Sequence, residues 1–255
     1  MSAAEATAVR RECALRLGDT SLILGQRLGE WVGHAPALEE DLGLANLALD
    51  LVGQARLLLT YAGELEGRGR DEDALAFHRD AGEFRNLALA EQPNGDFGRT
   101  LVRQWLIDAW QLEIYAALSG GSDAKLAAIA AKALKETRYH HRFSGGWLIR
   151  LGDGTEESHA RVQASVDELW RFTGELFTPD EHDEAAAALG LMPPLAALRE
   201  NWDRQVDADL GAATLRRPPA EPYPWHGKRG VHTEHLSYLL AEMQQLPRAL
   251  PGVQW

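Results

Sequence analysis

Four residues that could ligate a metal lie inside apolar stretches with helical periodicity. They are Asp50 in ANLALDLVGQA, Asp108 in QWLIDAWQL, and Glu136 with His140 in KALKETRYHHRF. A four-helix bundle that binds two iron ions needs a Glu from each of two helices and a Glu-x-x-His pair from each of the other two, all facing inward. The pattern therefore predicts the interior of such a bundle with only part of its ligand set.

The rest of a di-iron ligand set is missing from the pattern. Gly53 stands three residues after Asp50, and Tyr139 stands where a Glu-x-x-His pair starting at Glu136 would need its histidine. The main face of the first predicted helix carries no carboxylate and consists of Leu17, Leu24, Leu28 and Trp31. We therefore expect a vestigial inward cluster of Asp50, Asp108, Glu136 and His140 that binds no metal and has no catalytic residue. An intact di-iron centre, or polar residues each satisfied separately, are the alternatives.

The predicted cluster needs a balancing charge. Three nearby carboxylates without metal repel one another, so a proton, His140 or an arginine must compensate them. Leucines surround the axis of the helix that contains Asp50, and a helix that is apolar all round is buried all round. Asp50 is therefore expected to be buried and paired. The candidate arginines are Arg27, Arg103 and Arg138.

Hydrophobic periodicity is helical nearly throughout, which predicts an all-α protein. Helices are predicted over 7–33, 38–66, 72–89, 98–119, 123–145, 155–176, 181–189, 195–213 and 231–246, with Thr155 as an N-cap. The proline-dense segment 216–230 is predicted to be extended. Residues 1–255 are interpreted as a single domain, with the bundle core at about 7–176 and C-terminal helices plus the extended segment at about 177–255.

Composition excludes several classes of function. The chain has a net charge of −12, which is unsuited to a nucleic-acid backbone binder. Its single cysteine, Cys13, cannot form an internal disulfide, which indicates a reducing compartment. We see no signal peptide and no apolar run long enough to span a membrane, so a cytoplasmic location is expected.

Other polar and aromatic residues have weaker patterns. His232 and His235 could form half of a zinc site, but they are more simply the polar start of a helix near a partner surface. Glu156 and His159 have Glu-x-x-His spacing only in the first turn of a helix, where an acid is expected. The extended segment could wrap a partner or pack on its own bundle. The interface candidates are Tyr223, Trp225, Trp202 and the terminal Trp255.

Several long segments resemble one family, the C subunits of the bacterial phenylacetyl-CoA 1,2-epoxidases. The resemblance spans about residues 12–255 and is carried by GDTSLILGQRLGEWVGHAP, ANLALDLVGQAR, EQPNGDFGRTLVRQWLIDAWQ, KETRYHHRFSGGWLIRLGDGT, ELWRFTGELF and GVHTEHLSYLLAEMQQLPRALPGVQW. It implies a ferritin-like four-helix bundle in a multicomponent monooxygenase of aerobic phenylacetate breakdown. It also implies that the di-iron centre belongs to an A subunit, that a small B subunit links the assembly, and that a flavin and iron–sulfur reductase supplies electrons.

The resulting prediction is a non-catalytic structural subunit that pairs with the di-iron A subunit and binds no cofactor itself. A homodimer is expected when the A subunit is absent. One alternative is a di-iron oxygenase or oxidase active in its own right, and another is a stand-alone helical scaffold. Metal analysis distinguishes the first alternative, and the absence of a partner would indicate the second.

Overall fold

The computed structural model describes residues 1–219 and 222–253, and within them the regular structure is entirely helical. This confirms the all-α prediction. The helices are α1 (Ala3–Gly29), α2 (Leu38–Glu66), α3 (Glu72–Phe77), α4 (Phe97–Leu118), α5 (Ala124–Gly152), α6 (Glu156–Leu169), α7 (Gly174–Phe177), α8 (Glu181–Ala188), α9 (Leu195–Ala212), α10 (Glu234–Met243) and α11 (Gln245–Ala249). The chain divides into two compact units, residues 1–93 with 226–255 and residues 94–225. The prediction of one domain stays a prediction.

The first unit is built around the α1–α2 hairpin. A capping box between Ser2 and Glu5 starts α1, where the Ser2 hydroxyl accepts from the Glu5 backbone N–H at 3.2 Å. Gly18 brings the two helices close together, because a Cβ there would lie 3.0 Å from Leu59 Cδ2. Gly67 ends α2 in the left-handed conformation at φ 68°.

The predicted helix over 72–89 is wrong beyond Phe77. The chain makes a 3₁₀ turn at Ala81–Glu83 and then continues without regular structure. Leu87, Ala88, Leu89 and Ala90 are all at most 2% exposed. Four consecutive buried residues do not fit a helix with one apolar face. Side chains of α1 accept hydrogen bonds from backbone N–H groups of this segment in place of helical carbonyls.

The predicted last helix, 231–246, is divided into α10 and α11. Between them the Gln244 side-chain amide donates to the carbonyls of Ala76 and Arg79 at 3.0 and 2.9 Å. The C-terminal helices are thereby fastened to the end of α3 within the first unit.

The second unit packs α4 against α5, α6 and α9. Side-chain caps begin its helices: Asp96 for α4, Asp123 for α5 and Thr155 for α6. The prediction of Thr155 as an N-cap is confirmed. The interface assignment for Trp202 is wrong, because it is only 2% exposed and packs against Trp170 and Phe177.

A ferritin-like bundle is built from hairpins of long helices, and each unit contains one. The close contacts of Gly18 with Leu59 and of Gly25 with Leu51 show that α1 and α2 are antiparallel. In the second unit, Phe97 at the start of α4 packs against Trp147 near the end of α5. The helix packing is consistent with the predicted ferritin-like fold.

The part of the proline-dense segment that belongs to the second unit packs on that unit, whereas Gly227–Arg229 of the first unit forms a 3₁₀ turn and is not extended as predicted. The Tyr223 backbone N–H donates to the Arg171 carbonyl at 2.9 Å, and Trp225 stacks on Phe172 with ring centroids 5.0 Å apart. The Tyr223 side chain remains 58% exposed. Trp255 lies outside the described residues, and all three interface assignments stay predictions.

Helix α2 is apolar on two sides, but only one side is buried. Leu44, Leu47, Leu51 and Leu58 are at most 1% exposed, whereas Leu42 is 56% and Leu49 is 70% exposed. The prediction that α2 is buried all round is therefore wrong. By length and composition α2 is long and apolar enough to span a membrane, which the sequence analysis did not expect. Half of its most apolar stretch is buried inside the protein, as in a core helix.

Candidate functional site

Asp108 is the centre of a buried polar cluster in the second unit. It lies on α4 with 0% exposure, and its two oxygens accept from the Gln104 amide at 2.6 Å and the Ser144 hydroxyl at 2.7 Å. Burial raises the pKa of Asp108, while the positive charge of His140, the Ser144 hydrogen bond and the charge of His141 act in the opposite direction. Asp108 is thus a carboxyl group whose protonation is favoured by its surroundings.

The second half of this cluster is a histidine–aspartate pair. His141 Nε2 lies 3.1 Å from Asp209 Oδ2, which also accepts from the Trp105 indole at 2.8 Å. Burial works to lower the pKa of His141, but the hydrogen bond with Asp209 and the charges of Asp108 and Asp209 raise it overall. Burial likewise opposes ionisation of Asp209, but hydrogen bonds from His141 and Trp105 lower the pKa of Asp209.

The predicted residues of α5 divide between two environments. His140 is fully buried, and its charge acts on Asp108. Glu136, one turn earlier, is 18% exposed and pairs with Lys132, whose Nζ lies 2.5 Å from Glu136 Oε1. The structure therefore brings Asp108 and His140 together, while Glu136 has a partner on the accessible side of its own helix.

Asp50 belongs to the first unit and lies half-buried on α2. The predicted full burial of this residue is wrong, because the helix that carries it has an exposed face. Among the candidate cations, Arg27 donates to the Glu91 carbonyl at 2.7 Å and Arg103 to Asn94 Oδ1 at 2.7 Å, while Arg138 is exposed. The prediction of one cluster of four residues stays a prediction.

Sequence reasoning missed two buried carboxylates on α1, because it found none on the main apolar face of that helix. Asp19 is 0% exposed, pairs with both terminal nitrogens of Arg79, and accepts from the Arg85 backbone N–H at 2.8 Å. Glu12 is 7% exposed and accepts from Arg16 Nε at 3.1 Å. Asp19 thereby connects α1 to the irregular segment that replaces the predicted third helix.

A third missed carboxylate, Glu91, fixes the start of α10. Its oxygens accept from the Thr233 backbone N–H at 2.5 Å and lie 2.8 Å from His232 Nδ1. His232 Nε2 lies 3.0 Å from the Phe84 carbonyl oxygen. Both ring nitrogens of His232 therefore face hydrogen-bond acceptors within the first unit, and neither is open for zinc. This role replaces the predicted half of a zinc site.

The residues present do not fit the di-iron centre that a ferritin-like bundle can hold. Such a centre takes four carboxylates and two histidines. Both oxygens of Asp108 are hydrogen-bonded by neutral side chains, and both terminal nitrogens of Arg79 engage Asp19. Among residues 1–219 and 222–253, no group of three or more His, Cys, Asp or Glu is arranged to hold a metal ion.

Fold and cluster together define an all-α protein of ferritin-like packing whose inward acids are bonded to other side chains. The whole chain, residues 1–255, matches the family described as phenylacetic acid catabolic protein. A relative from Escherichia coli (strain K12), the C subunit of 1,2-phenylacetyl-CoA epoxidase, is 55% identical over 241 residues, or 94% of this chain and 97% of the relative. The chain belongs to the phenylacetic acid catabolic protein family, and the family resemblance carried by its motifs is confirmed.

Proposed function

We propose that this chain is the C subunit of a 1,2-phenylacetyl-CoA epoxidase in phenylacetate catabolism, and that its role in that assembly is structural. The observation that carries the assignment is the 55% identity that covers 94% of this chain and 97% of a relative with that name. Identity over nearly the full length of both chains supports the same place in a multisubunit enzyme. A C subunit implies other epoxidase subunits as partners.

The bonding of the inward acids supports a structural role over the rival of an independent di-iron oxygenase. A metal ligand needs a free lone pair directed at the metal, together with further ligands around it. Gln104 and Ser144 each donate to one oxygen of Asp108, and Lys132 pairs with Glu136. The Ser144–Asp108 contact holds α5 to α4, whereas the other two contacts each lie within one helix.

The exposed face of α2 offers a surface for the partner. Leu38, Leu42, Leu49 and Val52 are 69%, 56%, 70% and 40% exposed. Their spacing follows steps of three, four and seven residues, which forms one stripe along a helix and suits packing against another helix. We propose that this stripe, called the α2 stripe below, packs against the A subunit, an all-α chain.

The proposed assembly places the cofactors outside this chain. The A subunit would hold the di-iron centre, a small B subunit would join the complex, and a reductase with flavin and an iron–sulfur cluster would deliver electrons. Alone, this chain would form a homodimer through the same stripe. The location would be cytoplasmic, because CoA esters are intracellular substrates.

Co-expression with the A subunit of the same operon tests this proposal. Size exclusion with light scattering should show one complex, and NADPH oxidation dependent on phenylacetyl-CoA should fall strongly when this chain is left out. Separate elution at micromolar concentration, with turnover unaffected by the omission, would contradict the structural role and favour a stand-alone scaffold.

Two matched variants test the α2 stripe. Leu49→Glu should prevent the complex, whereas Leu246→Glu, at a residue 57% exposed on α11, should leave it intact. Equal effects of both variants would argue against the stripe. Metal analysis after incubation with ferrous iron tests the oxygenase rival, and about two irons per chain with an oxo-bridged absorption band would favour it.

A further inference from the structure

A strongly basic cavity lies within the first unit, although the whole chain has a net charge of −12. Its volume is about 260 Å³. Its charged lining consists of Arg11, Arg68, Arg70, Arg79, Arg85, Glu12, Glu66 and Glu83. We call this cavity the arginine pocket.

Two carboxylates of the arginine pocket are each approached by two guanidinium groups. Glu66 Oε1 lies 2.6 Å from Arg70 Nη2 and 3.6 Å from Arg11 Nη1. The Arg70 hydrogen bond holds the pKa of Glu66 below its usual value, so Glu66 is ionised. The group of three therefore carries one excess positive charge.

Glu12 repeats this arrangement on α1. Its Oε1 lies 3.1 Å from Arg16 Nε and 3.6 Å from Arg85 Nε. Arg79 is neutralised by the buried Asp19, with which it makes two hydrogen bonds. The basic excess of the pocket therefore lies on the less buried arginines.

The charges of the lining do not cancel. Five arginines against three glutamates leave an excess of two positive charges. Arg16 and Asp19, immediately behind the lining, offset each other and leave that excess unchanged. Clustered like charges in a partly enclosed site repel, so an anion would be favoured there.

Hydrogen-bond donors remain available to such an anion. Arg68 is exposed and donates no hydrogen bond to another described residue, and its charge contributes to the field at Glu66. Arg11 Nε is buried without an acceptor among the described residues. Arg70 and Arg85 remain 37% and 27% exposed. Arg70 donates to Glu66 through Nε and Nη2, and Arg85 donates to the Gly82 and Phe84 carbonyls through Nη1, so each has only part of its guanidinium left for an anion.

We propose that the arginine pocket binds a phosphate group of a small molecule. Guanidinium groups bind phosphate oxygens through paired N–H donors, and an excess of two positive charges matches a phosphate dianion. The phosphate could belong to CoA or be free inorganic phosphate, which present the same chemistry. The proposal rests on the residues of the first unit and does not depend on the proposed function.

Isothermal titration of the full chain at constant ionic strength tests the proposal, with inorganic phosphate, CoA and dephospho-CoA as separate probes. Wild type should bind phosphate or CoA, and Arg11→Gln with Arg68→Gln should weaken binding at least about tenfold. Tighter binding of CoA than of dephospho-CoA and inorganic phosphate would identify the CoA phosphate as the source. Equal binding of inorganic phosphate and CoA would identify the phosphate group alone.

Arg138→Gln is the matched control, because Arg138 is an exposed arginine of α5 in the second unit. Its affinity should stay within about twofold of wild type. Circular dichroism should show the same helix content in all variants. The proposal is overturned if no probe binds at millimolar concentration, or if the pocket variants weaken binding no more than the control does.

Discussion

Asp19 in the first unit and Asp108 in the second are both completely buried aspartates on long helices, but they have different kinds of partner. Asp19 meets a guanidinium and a backbone N–H. Asp108 meets a neutral amide and a hydroxyl, with the charge of His140 nearby. The first arrangement is a buried ion pair, whereas in the second burial raises the pKa of the carboxyl group.

This difference shows two ways in which a buried aspartate obtains hydrogen-bond partners within one chain. In the first unit the acid became part of an ion pair that anchors an irregular segment. In the second unit the acid is held by neutral donors, and burial raises its pKa. Both arrangements give the buried acid hydrogen-bond partners. A buried polar group left without a partner lowers the free energy of unfolding by on the order of 1–3 kcal/mol if it is neutral, and by more if it is charged.

The largest expected effect is that of Asp19→Ala. It leaves Arg79, whose side chain is 3% exposed, as an unpaired buried cation. Breaking one side of such a pair costs about 3–5 kcal/mol. Urea unfolding should show this loss, whereas Asp73→Ala, at an exposed acid of α3, should stay within about 0.5 kcal/mol. A cost for Asp19→Ala as small as that of the control would contradict the ion-pair account.

Asp108→Ala should cost less, about 1–3 kcal/mol, because the groups that donate directly to Asp108, Gln104 and Ser144, are neutral. Asp108→Asn keeps an acceptor for Gln104 and should cost less than Asp108→Ala. The same urea measurement ranks both variants against Asp19→Ala. If Asp108→Asn were as costly as Asp19→Ala, Asp108 would have to act as a required charge, and the contrast between the units would fail.

The helices and one part of the polar cluster were predictable from the sequence. Periodicity located the long helices, and Asp108 and His140 stood out as polar residues on apolar faces. Asp19 was missed because it was not counted on the apolar face, although the polar run GDTS inside an apolar helix was a usable signal. Its partner Arg79 lies 60 residues away, and a pairing at that separation leaves no local pattern.

Two errors of the sequence reasoning have one physical cause. The second apolar face of α2 suggested burial, and the apolar residues within 72–89 suggested one continuous helix. Hydrophobicity shows that a surface avoids water, but it does not show whether the same chain or another chain covers it. Asp19 and Thr20 of α1 accept hydrogen bonds from the backbone N–H groups of Arg85 and Leu87, and such contacts between distant parts of the chain cannot be read from local sequence.

The pH dependence of stability should report on the second unit, which contains His141, Asp108 and Asp209. The pKa of His141 is raised above its usual 6.5 in the folded protein. Its contribution to the free energy of unfolding is therefore complete below pH 6.5 and is lost as the pH rises through the folded-state pKa. The pKa of Asp108 is raised above 3.8, so its contribution is also lost as pH rises beyond that value. The pKa of Asp209 is lowered, so its contribution is present above 3.8 and is lost at lower pH.

His141→Gln tests this dependence. Urea unfolding at a series of pH values should show wild-type stability falling above pH 6.5, with a flatter profile for the variant. His34→Gln, at an exposed histidine, should retain the wild-type profile. Identical slopes for wild type and His141→Gln above that pH would show that His141 does not couple protonation to folding.

The smallest expected effect concerns Glu136, the predicted cluster residue that has an accessible partner. Lys132 is 56% exposed, and an exposed i,i+4 pair contributes about 0.3–0.5 kcal/mol. Lys132→Gln and Glu136→Gln should therefore each lower the unfolding free energy by no more than about 0.5 kcal/mol, and the double variant should cost little more than either single one. This double-mutant cycle at low and high salt distinguishes a surface pair, whose coupling is screened, from a buried member of the Asp108 cluster. A cost for Glu136→Gln that approaches that of Asp108→Ala and does not change with salt would place Glu136 in the buried cluster after all.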